Sequence, residues 1–197
     1  MIKRQSLHDG SSSEMLDGKV PMHKDIKRLL MIDSTYAFFY GLAQPFIVIF
    51  FNKFGSLEEV GISVALLLII QGIVSLITSK FISRIGSKRI LLVSQALEGI
   101  RIIMFLFVTN VYQVYFLQII GGIFKGFNIP AYNNLYVNVC RDESSTSIGT
   151  MSSTTNIAYG VSALIGGLII GEFGYAPAFI LWAAQEVVYG VYIYFRV

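Results

Sequence analysis

The sequence predicts an all-α membrane protein with six transmembrane helices, and three observations support this fold class. Of the 197 residues, 54% are hydrophobic and 14% are charged, whereas a soluble domain carries about a quarter charged residues. The apolar residues form six runs, each close to the roughly 20 residues that a helix needs to cross a bilayer. These runs are too long for β-strands and lack the alternation of polar and apolar residues that strands show.

The chain divides into a polar tail over residues 1–28 and a transmembrane domain over residues 29–197. The tail has no apolar segment of the kind found in a cleavable signal peptide, and we expect it to be flexible and cytoplasmic. The six helices are predicted over residues 29–51, 60–79, 90–109, 112–139, 148–171 and 176–195. Because the connections are short, consecutive helices should be antiparallel neighbours.

The positions of the basic residues predict the orientation of these helices. Twelve Lys and Arg residues lie in the tail, between helices two and three, between helices four and five, or after helix six, whereas the loops on the other side contain only Lys53. Cytoplasmic loops of membrane proteins are enriched in Lys and Arg. We therefore expect both termini in the cytoplasm and the protein in the plasma membrane.

The two halves of the predicted domain resemble each other. Helix one contains GLAQP at residues 41–45, and helix four contains GFNIP at residues 126–130. An offset of 88 residues pairs like with like at four further positions: Gly61 with Gly149, Gly72 with Gly160, Gly86 with Gly174, and Glu98 with Glu186. Three helices per unit reverse the second unit, so the pattern predicts a 3+3 inverted repeat, with chance as the alternative. Proline bends a helix, and the two Gly-Pro segments should shape a central cavity.

The loop between helices two and three carries the most specific motif of the chain. Residues 79–92 read SKFISRIGSKRILL, and this resembles the loop signature of the major facilitator superfamily at Arg84, Gly86, Lys88 and Arg89. Ser83 stands where that family has an aspartate, so one partner of the family's conformational latch is missing. The order and length of helix four, the RDESS loop and the glycine-rich helix five are also similar to this superfamily.

The resemblance implies the amino-terminal six-helix half of a solute transporter. In the family a second six-helix half completes the molecule, the substrate binds between the halves, and rocking exposes it alternately to each side. The motifs of proton-driven drug exporters are degraded here, because Gln118 takes the place of an arginine in helix four and the proline expected before Gly166 and Gly167 is absent. These facts make a proton-driven drug exporter a weak reading.

Five charged residues are predicted at membrane depth, where charges are costly and face protein or water. Glu98 and Arg101 are three residues apart and share a helix face, and the family's helices three and six lie outside the central cavity. We therefore expect a structural ion pair there, and a similar structural role for Glu186. Lys125 should hold an anionic substrate, pair with an acid such as Asp33, or extend its long chain towards water. Asp33 has the alternative of lying in water at the cytoplasmic helix end.

Uncharged polar residues form a candidate lining for the substrate cavity. Tyr36, Tyr40 and Gln44 recur every four residues and so share one face of helix one. The other candidates lie on helices two, four and five: Gln71, Gln118, Asn128, Asn156 and Tyr159. Hydrogen bonds between helices explain such residues equally well.

Several classes of function are excluded or disfavoured by the residues present. The net charge of +3 lies in the tail and short loops, without the basic face that nucleic-acid binders show. The single cysteine, Cys140, excludes an internal disulfide and a thiolate metal site. Both histidines lie in the tail, at His8 and His23, and no catalytic constellation appears. We therefore predict no enzyme activity, no cofactor, no metal and no nucleic-acid partner.

The resulting hypothesis is a half-size or truncated transporter that moves a small solute across the lipid bilayer. It would act after pairing with a second six-helix unit, which is a second copy, a separate partner, or a missing carboxy-terminal half, since the chain ends directly after helix six. The alternative is a multi-pass membrane protein that transports nothing and serves as a regulator or assembly partner.

Overall fold

The computed structural model describes residues 24–141 and 145–197, and no β-strand occurs among them. Eight α-helices follow one another in this part of the chain: α1 (Lys24–Ala43), α2 (Ile47–Phe51), α3 (Leu57–Ser79), α4 (Ile82–Ile85), α5 (Ser87–Met104), α6 (Val111–Val139), α7 (Ser145–Phe173) and α8 (Tyr175–Arg196). Two 3₁₀ turns, Gln44–Phe46 and Phe105–Phe107, join α1 to α2 and extend α5. Together these elements form six long helical rods and the short helix α4.

Five of these rods are long and apolar enough to cross a membrane within the part of the chain that the structure describes: Lys24–Phe51, Leu57–Ser79, Ser87–Phe107, Ser145–Phe173 and Tyr175–Arg196. The remaining rod, α6, has 29 residues, but it carries Gln113, Gln118, Lys125, Asn128 and several further amides along its length. The crossing of the bilayer by α6 therefore stays a prediction.

The helices begin earlier than the apolar runs. Lys24, the first residue described, is already helical, so α1 includes residues 24–28, which the sequence prediction assigned to the tail. Residues 1–23 lie outside the described residues, and the tail stays a prediction. Asp25 lies in the first turn of α1 and accepts a hydrogen bond from Arg28 at 3.1 Å. Such pairs of opposite charge, three residues apart, stabilise a helix even where its residues are polar. At α3 a capping box between Ser56 and Glu59 starts the helix at Leu57 rather than at residue 60.

The two Gly-Pro segments differ in the helix backbone at the proline, but in both of them another rod lies close to the glycine. Pro45 lies in the 3₁₀ turn that interrupts the first rod, whereas α6 continues through Pro130. A Cβ added to Gly41 would lie 2.7 Å from the carbonyl oxygen of Tyr159. A Cβ added to Gly126 would lie 2.5 Å from the Cβ of Val74. Each glycine therefore permits close packing with another rod, α1 with α7 and α6 with α3.

The rods pack pairwise in a regular pattern. The most extensive contacts join α3 to α6, α1 to α7, and α5 to α8, and smaller ones join α5 to α6 and α1 to α8. α3 and α7 therefore lie at the periphery, and large side chains on them such as Leu76 and Leu168 are exposed. Such apolar surfaces suit contact with lipid.

The buried apolar residues form two clusters at opposite ends of the rods. One cluster contains Leu42, Phe51, Phe105, Phe179 and Trp182. The other cluster includes Leu29, Leu91, Leu135, Met151, Tyr189 and Ile193. The chain segments between the two clusters occupy the middle of the bundle, and this is where the polar residues gather.

Candidate functional site

Two neighbouring cavities lie among the polar residues between the apolar clusters. The first, the Asp33 cavity, has a volume of about 370 Å³ and is lined by residues of α1, α5, α6, α7 and α8, including Asp33, Tyr36, Gln95, Asn128, Tyr132 and Asn156. The second, the Glu186 cavity, has a volume of about 300 Å³, and its lining includes Tyr36, Tyr40, Glu98, Lys125, Asn128 and Glu186. Tyr36, Gln95 and Asn128 line both cavities. The two volumes are therefore adjacent.

Two tyrosine hydroxyls hold the carboxylate of Asp33. Tyr132 donates a hydrogen bond to Oδ2 at 2.6 Å, and Tyr189 donates one to Oδ1 at 2.8 Å. Asp33 is 7% exposed, so it is buried in protein rather than in water at a helix end. Its partners come from α6 and α8, and among the described residues it forms no ion pair with Lys125.

Glu98 and Arg101 form a buried ion pair on α5. Arg101 Nε donates to Glu98 Oε2 at 2.7 Å, and Nη2 contacts Oε1. Nη1 donates to Oε1 of Gln118 at 3.3 Å, and the guanidinium lies 4.9 Å from the centroid of the Phe105 ring. A Cβ added to Gly121 would lie 2.7 Å from Cζ of Arg101, so this glycine makes room for the guanidinium. The ion pair is thus neutral as a unit, and both of its charges have protein partners.

The carboxylate of Glu186 has donors on one oxygen and none on the other. Tyr36 donates to Oε1 at 3.0 Å, and the indole Nε1 of Trp182 donates to the same oxygen at 2.7 Å. Glu186 is 1% exposed, and no donor among the described residues lies within hydrogen-bond distance of Oε2. No cation pairs with this carboxylate in the part of the chain that the structure describes.

Lys125 extends from α6 into the wall of the Glu186 cavity. Its Nζ lies 6.0 Å from the centroid of the Tyr40 ring, the outer limit of a cation–π contact. It forms neither an ion pair nor a hydrogen bond with any described residue. Lys125 and Glu186 therefore border one cavity, from α6 and α8, with opposite charges that are not joined.

Aromatic rings form much of the remaining wall. Tyr36 and Tyr40 stack with ring centroids 5.6 Å apart. Tyr40 also meets Trp182 edge-to-face at 5.3 Å and lies 6.0 Å from Tyr159. These contacts fix Tyr36 and Tyr40 on the shared face of α1 that the four-residue spacing predicts.

The other residues predicted to line a cavity are distributed more widely. Asn128 lies in both cavities and donates to Oγ of Ser94 at 3.3 Å, and Asn156 lies in the Asp33 cavity. Gln44 instead accepts a hydrogen bond from Tyr159 at 2.6 Å, which links the first rod to α7. Gln71 is partly buried against α6 and lines neither cavity.

The loop motif lies apart from both cavities. Ser83 and Arg84 are in α4, and Lys88 and Arg89 are in the first turn of α5. Gly86 between the two helices has a φ of 89°, a backbone conformation that favours glycine. Ser87 accepts a hydrogen bond from Asn134 of α6 at 2.8 Å. The motif therefore shapes the junction of α4 and α5 and ties it to α6.

Sequence reasoning missed several lining residues. Gln95, Tyr132 and Tyr189 line the Asp33 cavity, and Trp182 donates a hydrogen bond to Glu186 at the other cavity. The family resemblance places helices three and six, which are α5 and α8, outside the central cavity. In this structure, however, Gln95, Glu98 and Glu186 of these helices line the Asp33 and Glu186 cavities. The sequence did contain a signal for these residues. Gln95 and Glu98 are three residues apart, as are Glu186 and Tyr189, and this spacing places each pair on one helix face.

Comparisons with known proteins identify relatives of this arrangement. Residues 29–197 match the Major Facilitator Superfamily. The chain is 29% identical over 179 residues to the multidrug resistance protein MdtG of Dickeya zeae (strain Ech586), covering 85% of this chain and 43% of the relative. It is 25% identical over 152 residues to MdtG of Proteus mirabilis (strain HI4320), covering 74% of this chain and 38% of the relative. The chain thus spans about two fifths of the length of these relatives.

Proposed function

Because this chain belongs to the major facilitator superfamily, we propose that it is one six-helix half of a transporter that moves a small organic solute across the plasma membrane by alternating access. Family membership confirms the resemblance inferred from the loop motif and identifies a multi-pass membrane protein. The transport activity, the crossing of all six rods and the 3+3 repeat belong to the proposal.

The observation that carries the proposal is the pair of polar cavities in the middle of an otherwise apolar bundle. Asp33 and Glu186 are buried and Lys125 is partly buried, and charged groups at membrane depth have a high free-energy cost. Such residues usually mark solute or ion pathways. Glu98 and Arg101 neutralise each other, but Lys125 and Glu186 have no mutual ion pair and line a volume of about 300 Å³, the lower end of the range for small-molecule sites.

A second six-helix unit is part of the proposal for two reasons. The chain matches only 43% and 38% of the length of its two relatives. In addition, α7 exposes small and polar side chains that lipid does not favour: Ser152, Ser153, Thr154, Asn156 and Gly160. In membranes small and polar residues promote close helix packing, so this segment of α7 suits contact with another helical unit.

The internal repeat is supported by the packing of the rods. If helices one, two and three correspond to four, five and six, then contact of α1 with α7 corresponds to contact of α6 with α3. Likewise contact of α1 with α8 corresponds to contact of α6 with α5. Both members of each pair occur, and Gly41 and Gly126 lie at the equivalent close approaches.

Reconstitution into liposomes tests transport directly. We expect protein-dependent uptake of at least one labelled solute from a panel of small amines, acids and amino acids, together with dimers or higher oligomers by light scattering. The Lys125→Met variant should lose uptake, while Lys53→Met, which removes a lysine outside the cavity, should retain it. Absence of uptake in every oligomeric state would favour the alternative, a regulator or assembly partner without transport activity.

Cysteine labelling tests the proposed orientation. In a Cys140→Ser background, single cysteines at Asn52 and Lys80 should react with a membrane-impermeant thiol reagent from opposite sides of the cell membrane, because α3 separates them. Lys80 should be accessible only from the cytoplasm, as the distribution of basic residues predicts. Labelling of both positions from one side would contradict the topology and the transport proposal with it.

A further inference from the structure

The two unjoined charges of the Glu186 cavity are its most specific feature. Oε1 of Glu186 accepts hydrogen bonds from Tyr36 and Trp182, while Oε2 is buried without a donor among the described residues. A buried acceptor without a partner has a free-energy cost that a suitable donor removes. A carboxylate oxygen is best satisfied by a cationic N–H donor.

Lys125 supplies the complementary feature on α6. Its ammonium group borders the same cavity and lies 6.0 Å from the centroid of the Tyr40 ring. No carboxylate oxygen of the described residues lies within ion-pair distance of it. An ammonium group has three donors and no acceptor. It is therefore suited to an acidic group that enters the cavity.

We propose that the Glu186 cavity binds a small zwitterionic solute, with the ammonium group of the solute at Glu186 and its acidic group at Lys125. This inference rests on the proposed function, because it names the class of solute to be transported. A single bound solute would then give both Glu186 and Lys125 a partner of opposite charge.

The charge balance of the cavity disfavours solutes of a single charge. Of the charged residues that line the Glu186 cavity, Glu98 is neutralised by Arg101. The carboxylate of Asp33 lies in the adjoining cavity and accepts hydrogen bonds from Tyr132 and Tyr189, so Lys125 and Glu186 decide the preference. A cation attracted by Glu186 is repelled by Lys125, and an anion attracted by Lys125 is repelled by Glu186. At low effective dielectric these repulsions are substantial, whereas a zwitterion meets an opposite charge at each end.

The walls and size of the cavity add two further restrictions. A volume of about 300 Å³ admits only a small solute. The rings of Tyr36, Tyr40 and Phe124 offer apolar faces, so an aromatic or aliphatic side group is accommodated. The adjoining Asp33 cavity provides hydroxyl and amide groups, including Thr155 and Asn156, for a longer polar substituent.

Binding of phenylalanine and of analogues with one charge or none to the full chain in detergent micelles tests the assignment. Trp182 is the only tryptophan in the chain and donates to Glu186, so its fluorescence reports on this site. We expect phenylalanine to bind about tenfold more tightly than phenethylamine, 3-phenylpropanoate or 3-phenylpropanamide, since each analogue lacks at least one charge-assisted hydrogen bond.

Two variants exchange the preference in opposite directions. Glu186→Gln retains an oxygen that accepts from Tyr36 and Trp182, so it should fold, and it should favour 3-phenylpropanoate over phenylalanine. Lys125→Met should favour phenethylamine. Glu172→Gln and Lys53→Met remove the same charges outside the cavity and should retain the wild-type order. Equal binding of all four compounds, no binding of phenylalanine, or an unchanged order in both cavity variants would overturn the assignment.

This experiment separates the inference from the proposed function, because it measures binding without transport. Protein that shows the expected preferences but moves no solute into liposomes would contradict the transport proposal alone. Uptake of a solute of single charge by protein that does not bind phenylalanine would contradict the zwitterion assignment alone.

Discussion

Glu98 on α5 and Glu186 on α8 occupy matching positions of the proposed internal repeat, yet their surroundings differ. They are 88 residues apart, both are buried, and both border the Glu186 cavity. Glu98 is neutralised by Arg101, three residues further along α5. The residue three positions after Glu186 is Tyr189, which donates its hydroxyl hydrogen bond to Asp33 instead.

This difference indicates what separates two buried carboxylates that border one cavity. A carboxylate with a cation on the same helix face is satisfied within its own helix and stabilises the bundle. A carboxylate without that cation takes neutral donors from neighbouring helices and retains an oxygen for another partner. The residue three positions away thus separates a structural acid from a candidate binding acid.

The largest loss of stability is expected when the ion pair of Glu98 and Arg101 is broken. Arg101→Met leaves the carboxylate of Glu98 buried and unpaired, and removal of one partner of a buried ion pair costs about 3–5 kcal/mol. We expect a loss of this order in the free energy of unfolding, measured by titration with sodium dodecyl sulfate in mixed micelles. The double variant Glu98→Gln/Arg101→Met should recover most of it, and equal losses in the single and double variants would contradict a neutralising pair.

The next effect concerns the space beside the guanidinium. In Gly121→Ala the added Cβ would lie 2.7 Å from Cζ of Arg101, so the guanidinium must shift, and overpacking of this kind costs about 1–3 kcal/mol. Gly72→Ala is the matched control, because no atom of another helix lies within 4 Å of its added Cβ. The same unfolding titration should show the control to be near wild type. Two equal losses would indicate an effect of helix propensity or of another contact.

A smaller loss of stability is expected at Tyr189, which lies three positions after Glu186 as Arg101 lies three positions after Glu98. Tyr189→Phe removes the 2.8 Å hydrogen bond to Asp33 but leaves that of Tyr132 in place, so the expected loss is about 1 kcal/mol. Tyr194→Phe, near the end of the same helix and without a hydrogen bond to Asp33, serves as the control. A loss as large as that of Arg101→Met would show that Tyr189 stabilises the carboxylate of Asp33 as strongly as Arg101 stabilises that of Glu98.

The smallest change in stability is expected at the unsatisfied acid. Glu186→Gln retains an acceptor for Tyr36 and Trp182 and removes a charge that no described cation pairs with, so the free energy of unfolding should change by less than about 1 kcal/mol. The emission of Trp182 should shift nevertheless, because the acceptor of its indole changes. A loss of several kcal/mol would indicate that the negative charge itself holds the bundle together.

The residue types and their spacing determined much of this molecule. Long apolar runs predict helices in almost any context that excludes water, since only a helix satisfies its backbone hydrogen bonds within one segment. The helix-face rule likewise anticipated the pair of Glu98 and Arg101 and the shared face of Tyr36 and Tyr40, because these contacts lie within one helix. The loop motif, together with the order and length of the later helices, indicated the family.

Only the tertiary structure decided how the helices share their polar groups. The contacts of Asp33 with Tyr132 and Tyr189, of Glu186 with Tyr36, and of Arg101 with Gln118 join different rods. Their geometry depends on which rods pack together and at what depth, and on glycines such as Gly121 that admit a neighbouring side chain. Periodicity along one helix carries no information about such contacts, and so the cavity with its two unjoined charges appears only once the six rods are assembled.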